Sequence, residues 1–167
     1  IAAERELLAD LREEADVIVD TSSLNIHELR ERLTALFSEE DMTRPMRVSL
    51  RSFGFKHGTP RDTDLLFDVR FLPNPYWIPE LRHLRGTDER VAEYVMNDDA
   101  AKEFVDRLDD MLEFLLPRFQ NEGKSYLSIA IGCTGGHHRS VAIAEELRKR
   151  LAAHGVNASV RHRDIDR

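Results

Sequence analysis

Two patterns in this chain predict an α/β fold, a single compact domain with a largely parallel sheet flanked by helices. Strand-like runs alternate with helix-length segments rather than with tight hairpin turns, the order that a parallel sheet requires. Near the end, Ile129-Ala130-Ile131-Gly132-Cys133-Thr134-Gly135-Gly136-His137-His138-Arg139-Ser140 passes from an apolar strand into a glycine turn. The following Val141-Ala142-Ile143-Ala144-Glu145-Glu146-Leu147 has helical apolar spacing, which completes a strand–turn–helix unit.

In chain order, residues 3–14 predict a helix with Leu7, Leu8 and Leu11 on one stripe, and residues 15–20 a short buried strand. Thr21-Ser22-Ser23 are N-cap formers, and a helix is expected over about 25–37, where Ile26, Leu29, Leu33 and Leu36 share a face. The alternation from Val48 to Phe55 predicts a second strand ending at Gly54. Residues 65–70 read either as a strand or as a turn of helix. Residues 71–79 hold three prolines and must be irregular, because each fixes φ and removes a donor. Helices follow over about 88–96 and 98–119, the second carrying Phe104, Leu108, Leu112 and Leu115. After the glycine-rich unit, Ala158–His162 predicts a last strand.

Composition bounds the function. The 167 residues are 41% hydrophobic, enough for a real core in one domain. A formal net charge of -7 argues against a nucleic-acid binder with a basic surface all round. Residues 143–167 nevertheless carry a net +2 against -9 for the rest, a local basic bias that a solvated helix face explains nearly as well as RNA does. The lone cysteine forbids an internal disulfide and predicts a cytoplasmic setting. No apolar run reaches membrane-spanning length, and no signal peptide is visible. Ile1 is not an initiator residue, so the sequence is expected to be part of a longer protein.

The 133–140 turn is the leading candidate site. A strand, a glycine turn and a helix start bring free backbone amides and the helix dipole to one point, which is the outline of an anion site. A second cluster runs through Ser52-Phe53-Gly54-Phe55-Lys56-His57-Gly58 to Asp68 and Arg70. It ends at Asn74-Pro75-Tyr76-Trp77, whose aromatic residues either plug the core or stack on a sugar or nucleotide. Ligands of α/β sheets sit at the carboxyl ends of strands, so both clusters could converge there. Cys133 and Arg139 also fit the C-x5-R-S pattern of cysteine phosphatases, with a thiolate nucleophile and an arginine clamp. Asp62, Asp64 and Asp68 would then be candidates for the general acid. No set of residues has zinc-ligand spacing.

Three long motifs, DTSSLNIHELR over 20–30, SFGFKHGTPRDTDLLFDVRFLPNPYW over 52–77 and IGCTGGHHRSVAIAEEL over 131–147, closely resemble the RapZ family, also called YvcJ-like nucleotide-binding proteins. The resemblance is to that family's C-terminal domain, described as phosphofructokinase-like. It implies that residues 1–15 are a linking helix from an N-terminal P-loop domain and that 16–167 form the ligand-binding domain. No G-x-x-x-x-G-K-[ST] occurs in the sequence, so ATP or GTP binding would belong to the P-loop half.

The resemblance further implies a regulatory sensor and RNase adapter, not an enzyme, with no cofactor in this domain. Its regulatory ligand would be an amino-sugar phosphate such as glucosamine-6-phosphate, or a UDP-linked amino sugar. Ligand contacts would come from Asp68, Arg70, Tyr76, Cys133, Thr134, Gly135, Gly136, His138, Arg139 and Ser140. Sugar-phosphate-binding members carry His where this chain has Tyr76, which favours a different ligand. RNA contacts would come from Arg148, Lys149, Arg161, His162, Arg163 and Arg167, although Asp164 and Asp166 interrupt the basic end. Expected partners are a small RNA and an endoribonuclease or other regulatory protein, with self-association into a dimer or higher oligomer.

Overall fold

A computed structural model of the chain describes residues 17–37 and 46–167. By internal contacts the chain divides into two units, Ile1–Arg44 and Pro45–Arg167. The predicted helix over 3–14 lies outside the described residues.

In the first unit, helix α1 spans Ile26–Phe37. The cap is Asn25 rather than the Thr21-Ser22-Ser23 cluster. The Asn25 carboxamide oxygen accepts from the amides of His27 and Glu28, while the Glu28 carboxylate accepts from the Asn25 amide. This reciprocal capping box satisfies donors that the first turn would otherwise leave open. Of the strand expected over 15–20, residues 15 and 16 lie outside the described residues; residues 17–20 pair with no strand among the described residues, and Val17 and Ile18 stand exposed. β-branched residues favour an extended chain, but a strand needs a neighbour to take its amides and carbonyls.

The second unit is a four-stranded, all-parallel α/β domain. Strand β1 is Arg47–Gly54, β2 is Leu65–Asp68, β3 is Tyr126–Cys133 and β4 is Ala158–His162. Their order across the sheet is β2-β3-β1-β4. Of the ambiguous segment at 65–70, Leu65–Asp68 is therefore a strand, and the Asp64 carboxylate just before it accepts the Ser128 amide of β3. Helices α2 (Glu89–Met96), α3 (Asp99–Asn121) and α4 (Arg139–Ala153) complete the domain. Asp88 and Asp98 cap α2 and α3 by accepting the amides of Arg90 and Ala101.

Alternation along β1 and β3 sends Val48, Leu50, Leu127, Ile129, Ile131 and Cys133 into one core. They meet Ile143, Leu147 and Leu151 of α4 and Val105, Leu108 and Leu112 of α3. The buried stripe of α3 is rotated from the predicted one: Ala101, Val105, Leu108, Leu112 and Leu116 are inward, with Phe104 and Leu115 on its margin. Positions between them on the strands, such as Ser49, Arg51, Leu66, Ser159 and Arg161, are exposed or half-buried.

Candidate functional site

The sheet order creates a switch point between β1 and β3. From β1 the chain crosses β3 to reach β2; from β3 it crosses β1 to reach β4. Connections leaving in opposite directions open a crevice at the carboxyl ends of the two central strands. Register places Gly54 beside Cys133, Asp68 beside Gly132 and His162 beside Ser52. All four strands therefore deliver their following loops to one edge.

The turn after β3 is shaped by contact between backbones. A Cβ at Gly54 would lie 2.5 Å from the carbonyl carbon and oxygen of Gly135, and one at Gly136 would lie 2.5 Å from the Gly54 nitrogen. Gly136 also has φ 77°, a conformation that favours glycine. Inside the turn, the Cys133 Sγ accepts the Gly136 amide at 3.2 Å and lies 3.1 Å from the Ser140 hydroxyl. The Lys56 amide donates to the Thr134 carbonyl. Among the described residues, the amides of Thr134, Gly135 and His137 have no protein acceptor. Helix α4 starts immediately afterwards with no side-chain cap at His138, so its dipole adds to the same positive region.

Arg139 is buried, 5% exposed, and its guanidinium faces its own protein. Nη1 donates to the carbonyls of Arg70 (2.7 Å) and Leu72 (3.0 Å), and Nη2 to the Thr134 hydroxyl. It thus ties the loop after β2 to the turn after β3. A phosphatase arginine would offer those nitrogens to phosphate. Its Nε, buried and without a partner, is the donor left over.

His138 is also buried. Its Nε2 lies 3.1 Å from the Arg82 carbonyl, so that nitrogen carries the proton and donates. Burial, reinforced by the neighbouring His137, pushes its pKa below that of a free imidazole. The ring is a neutral strut. Gly86 packs behind it, where a Cβ would meet the His138 carbonyl oxygen at 2.3 Å.

A cavity of about 510 Å³ opens on this edge, within the roughly 300–1,000 Å³ of small-molecule sites. Of the residues expected at the site, Tyr76, Cys133, Thr134, Gly135, His138 and Arg139 line it, while Gly136 and Ser140 shape the turn from inside. Asp68 and Arg70 do not line it. They pair with each other at 2.6 Å, and the Arg70 guanidinium lies over the Phe55 ring. The hydrogen bond from Arg70, opposed by partial burial, holds the Asp68 carboxyl below its usual range.

Also lining the cavity are Lys56, Asn74 and Trp77 of the second sequence cluster, His137 of the turn, and Arg82, none of them among the residues to which the family resemblance assigns ligand contacts. Lys56 sits directly after β1, and among the described residues its ammonium has no ion pair or hydrogen bond. Its place in Phe55-Lys56-His57-Gly58, beside a predicted strand end, was a legible signal. Arg82 belongs to no motif and only the fold brings it in.

The residues expected to meet RNA differ in what they touch. Arg148 and Lys149 pair with Glu145 and Glu146 on α4. Arg161 is exposed on β4. His162 bridges the Ser52 hydroxyl and the Glu145 carboxylate. Arg163 pairs with Asp164 and donates to the carbonyls of Gly54 and Gly58, whereas Arg167 lines the cavity. Asp164 itself is fully buried and accepts the Gly54 amide at 2.8 Å. Burial acts to raise its pKa, but Arg163 and the Gly54 amide outweigh that and keep it ionised below the usual range.

Among the described residues no cluster of His, Cys, Asp and Glu could hold a metal ion, and no helix is long and apolar enough to cross a membrane. Residues 46–166 match the model of the RapZ C-terminal domain, and residues 1–41 match that of the RapZ-like N-terminal domain. The whole chain is 53% identical to a nucleotide-binding protein of Streptomyces coelicolor and 52% identical to one of Corynebacterium diphtheriae, covering 56% of each. A third, from Corynebacterium efficiens, is 51% identical over 53% of its length. The chain thus spans about half the length of these relatives. On these matches, the turn and cavity described above lie in the C-terminal domain of a chain that belongs to the RapZ family.

Proposed function

We propose that this domain is the metabolite-sensing part of a cytoplasmic RapZ-like RNase adapter. It binds an amino-sugar phosphate or a UDP-amino sugar with its phosphate on the 134–138 turn. The observation that carries the reading is the set of unclaimed amides at Thr134, Gly135 and His137, beside an unpaired Lys56, at the switch point of a parallel sheet. Amides and helix dipole hold the phosphate, and the Lys56 ammonium supplies the mobile counter-charge. Arg139 supports the turn from below through the Thr134 hydroxyl.

Small RNA and an endoribonuclease enter as partners from the family alone, as does self-association. Arg148, Lys149 and Arg161 are the solvent-facing cations for an RNA contact, whose affinity must then fall steeply with salt.

Titration calorimetry with inorganic phosphate, glucosamine-6-phosphate and UDP-N-acetylglucosamine tests the ligand class. At least one sugar compound should bind more tightly than phosphate. Lys56→Ala should weaken that binding at least tenfold, the loss of one charge-assisted contact, with little change in folding. Failure of every phosphorylated compound to bind, or an unaltered affinity in the variant, removes the site from this turn.

A further inference from the structure

Trp77 is 71% exposed, yet the turn that carries it is firmly built. The Asn74 carboxamide oxygen accepts the Tyr76 amide and the Asn74 carbonyl accepts the Trp77 amide, while prolines at 73, 75 and 79 fix the flanking φ angles. Tyr76 meets the indole edge-on at 5.4 Å. Arg82 holds this assembly to the anion turn. Its Nε donates to the Tyr76 carbonyl, its guanidinium lies 5.0 Å over the Tyr76 ring, and its own carbonyl holds His138. The spacing between an aromatic face and the phosphate-binding amides is thereby set before any ligand arrives. Both line the same cavity. Among the described residues, the terminal nitrogens of Arg82 donate to no protein group, which leaves two forked donors for a second phosphate.

Resting on the reading of the turn as a phosphate site, we propose that the ligand is a nucleoside diphosphate or its sugar conjugate, with the base stacked on Trp77. A bare hexosamine phosphate offers the indole C–H groups instead of a π face and one phosphate for two sets of donors. Base–aromatic stacking tolerates any base because each has a π face, so the platform selects a class of ligand.

Trp77 is the chain's single tryptophan, so its emission reports this face alone. The experiment titrates the 167-residue chain with UDP, ADP, inorganic pyrophosphate and an oligouridine lacking terminal phosphate, following tryptophan emission and heat in parallel. UDP or ADP should quench the emission and bind at least tenfold more tightly than pyrophosphate, which should bind with little quenching. Trp77→Ala should lower nucleotide affinity to that of pyrophosphate, and Trp77→Phe should recover most of it. If pyrophosphate binds and neither nucleotide binds more tightly, the stacking inference fails while the phosphate turn stands. If neither nucleotide nor pyrophosphate binds, both fail. Oligouridine binding more tightly than UDP would assign the platform to an RNA strand and overturn the small-molecule form of the proposal.

Discussion

Replacing Arg139 with alanine should destabilise the domain as well as weaken ligand binding. The sequence pattern alone predicts a clean loss of a phosphate clamp on an intact turn. The structure predicts otherwise, because the guanidinium donates to the carbonyls of Arg70 and Leu72 and to the Thr134 hydroxyl from a site only 5% exposed. A hydrogen bond from a charged donor contributes about 1.5–3 kcal/mol, and a buried group left unpaired costs about 1–3 kcal/mol. The Leu72 bond is buried and counts in full; the Arg70 bond is only partly buried and must be discounted. The expected loss is therefore about 3 kcal/mol, or roughly 6–12 °C in Tm for a chain of this length. Urea denaturation followed by circular dichroism measures it. Arg139→Lys should recover little, since an ammonium cannot span two carbonyls and a hydroxyl at once. A Tm within about 1 °C of wild type in the alanine variant would refute the assignment of Arg139 as a strut.

Three further outcomes follow from the same geometry. Gly136→Ala should cost about 3 kcal/mol and abolish phosphate binding, because it combines positive φ with a Cβ placed 2.5 Å from the Gly54 nitrogen and 2.8 Å from the Asp164 Cβ; denaturation and calorimetry read both. His138 is buried in its neutral form with a lowered pKa, so the unfolded chain binds more protons at mildly acid pH. Its contribution to stability is complete above about pH 6.5 and is lost as pH falls through and below that value, and His138→Gln should flatten this part of the Tm–pH curve. Cys133→Ser should keep ligand affinity within severalfold, since a hydroxyl can accept the Gly136 amide and meet Ser140; turnover of an aryl phosphate by the wild type that vanished in this variant would install the enzyme reading in its place.

Most of the secondary structure was legible because it depends on local pattern. Residues 65–70 were undecidable as a lone short run, and Leu65–Asp68 became a strand only because β3 lies beside it. Residues 17–20 misled for the converse reason: their apolar, β-branched character is real, but they have no strand partner among the described residues. At the site, the glycine turn was readable from its residue types, whereas the direction of each side chain was not. Arg139 turns inward to carbonyls that lie 67 and 69 positions away in sequence. Asp68 and Arg70 share a motif and a face, and they pair with each other outside the cavity lining. Arg82 carries no local signal, and its role exists only through contacts with Tyr76 and His138.

The bond from the Gly54 amide to the Asp164 carboxylate spans 110 positions of sequence, and that carboxylate also holds Arg163 and Arg167. A growing chain emerging from the ribosome could pair β1, β2 and β3 before residue 164 had been made, yet the turn would still lack the group that fixes its floor. Fixing the floor of the turn therefore waits for residue 164, long after the strands that flank it have been made.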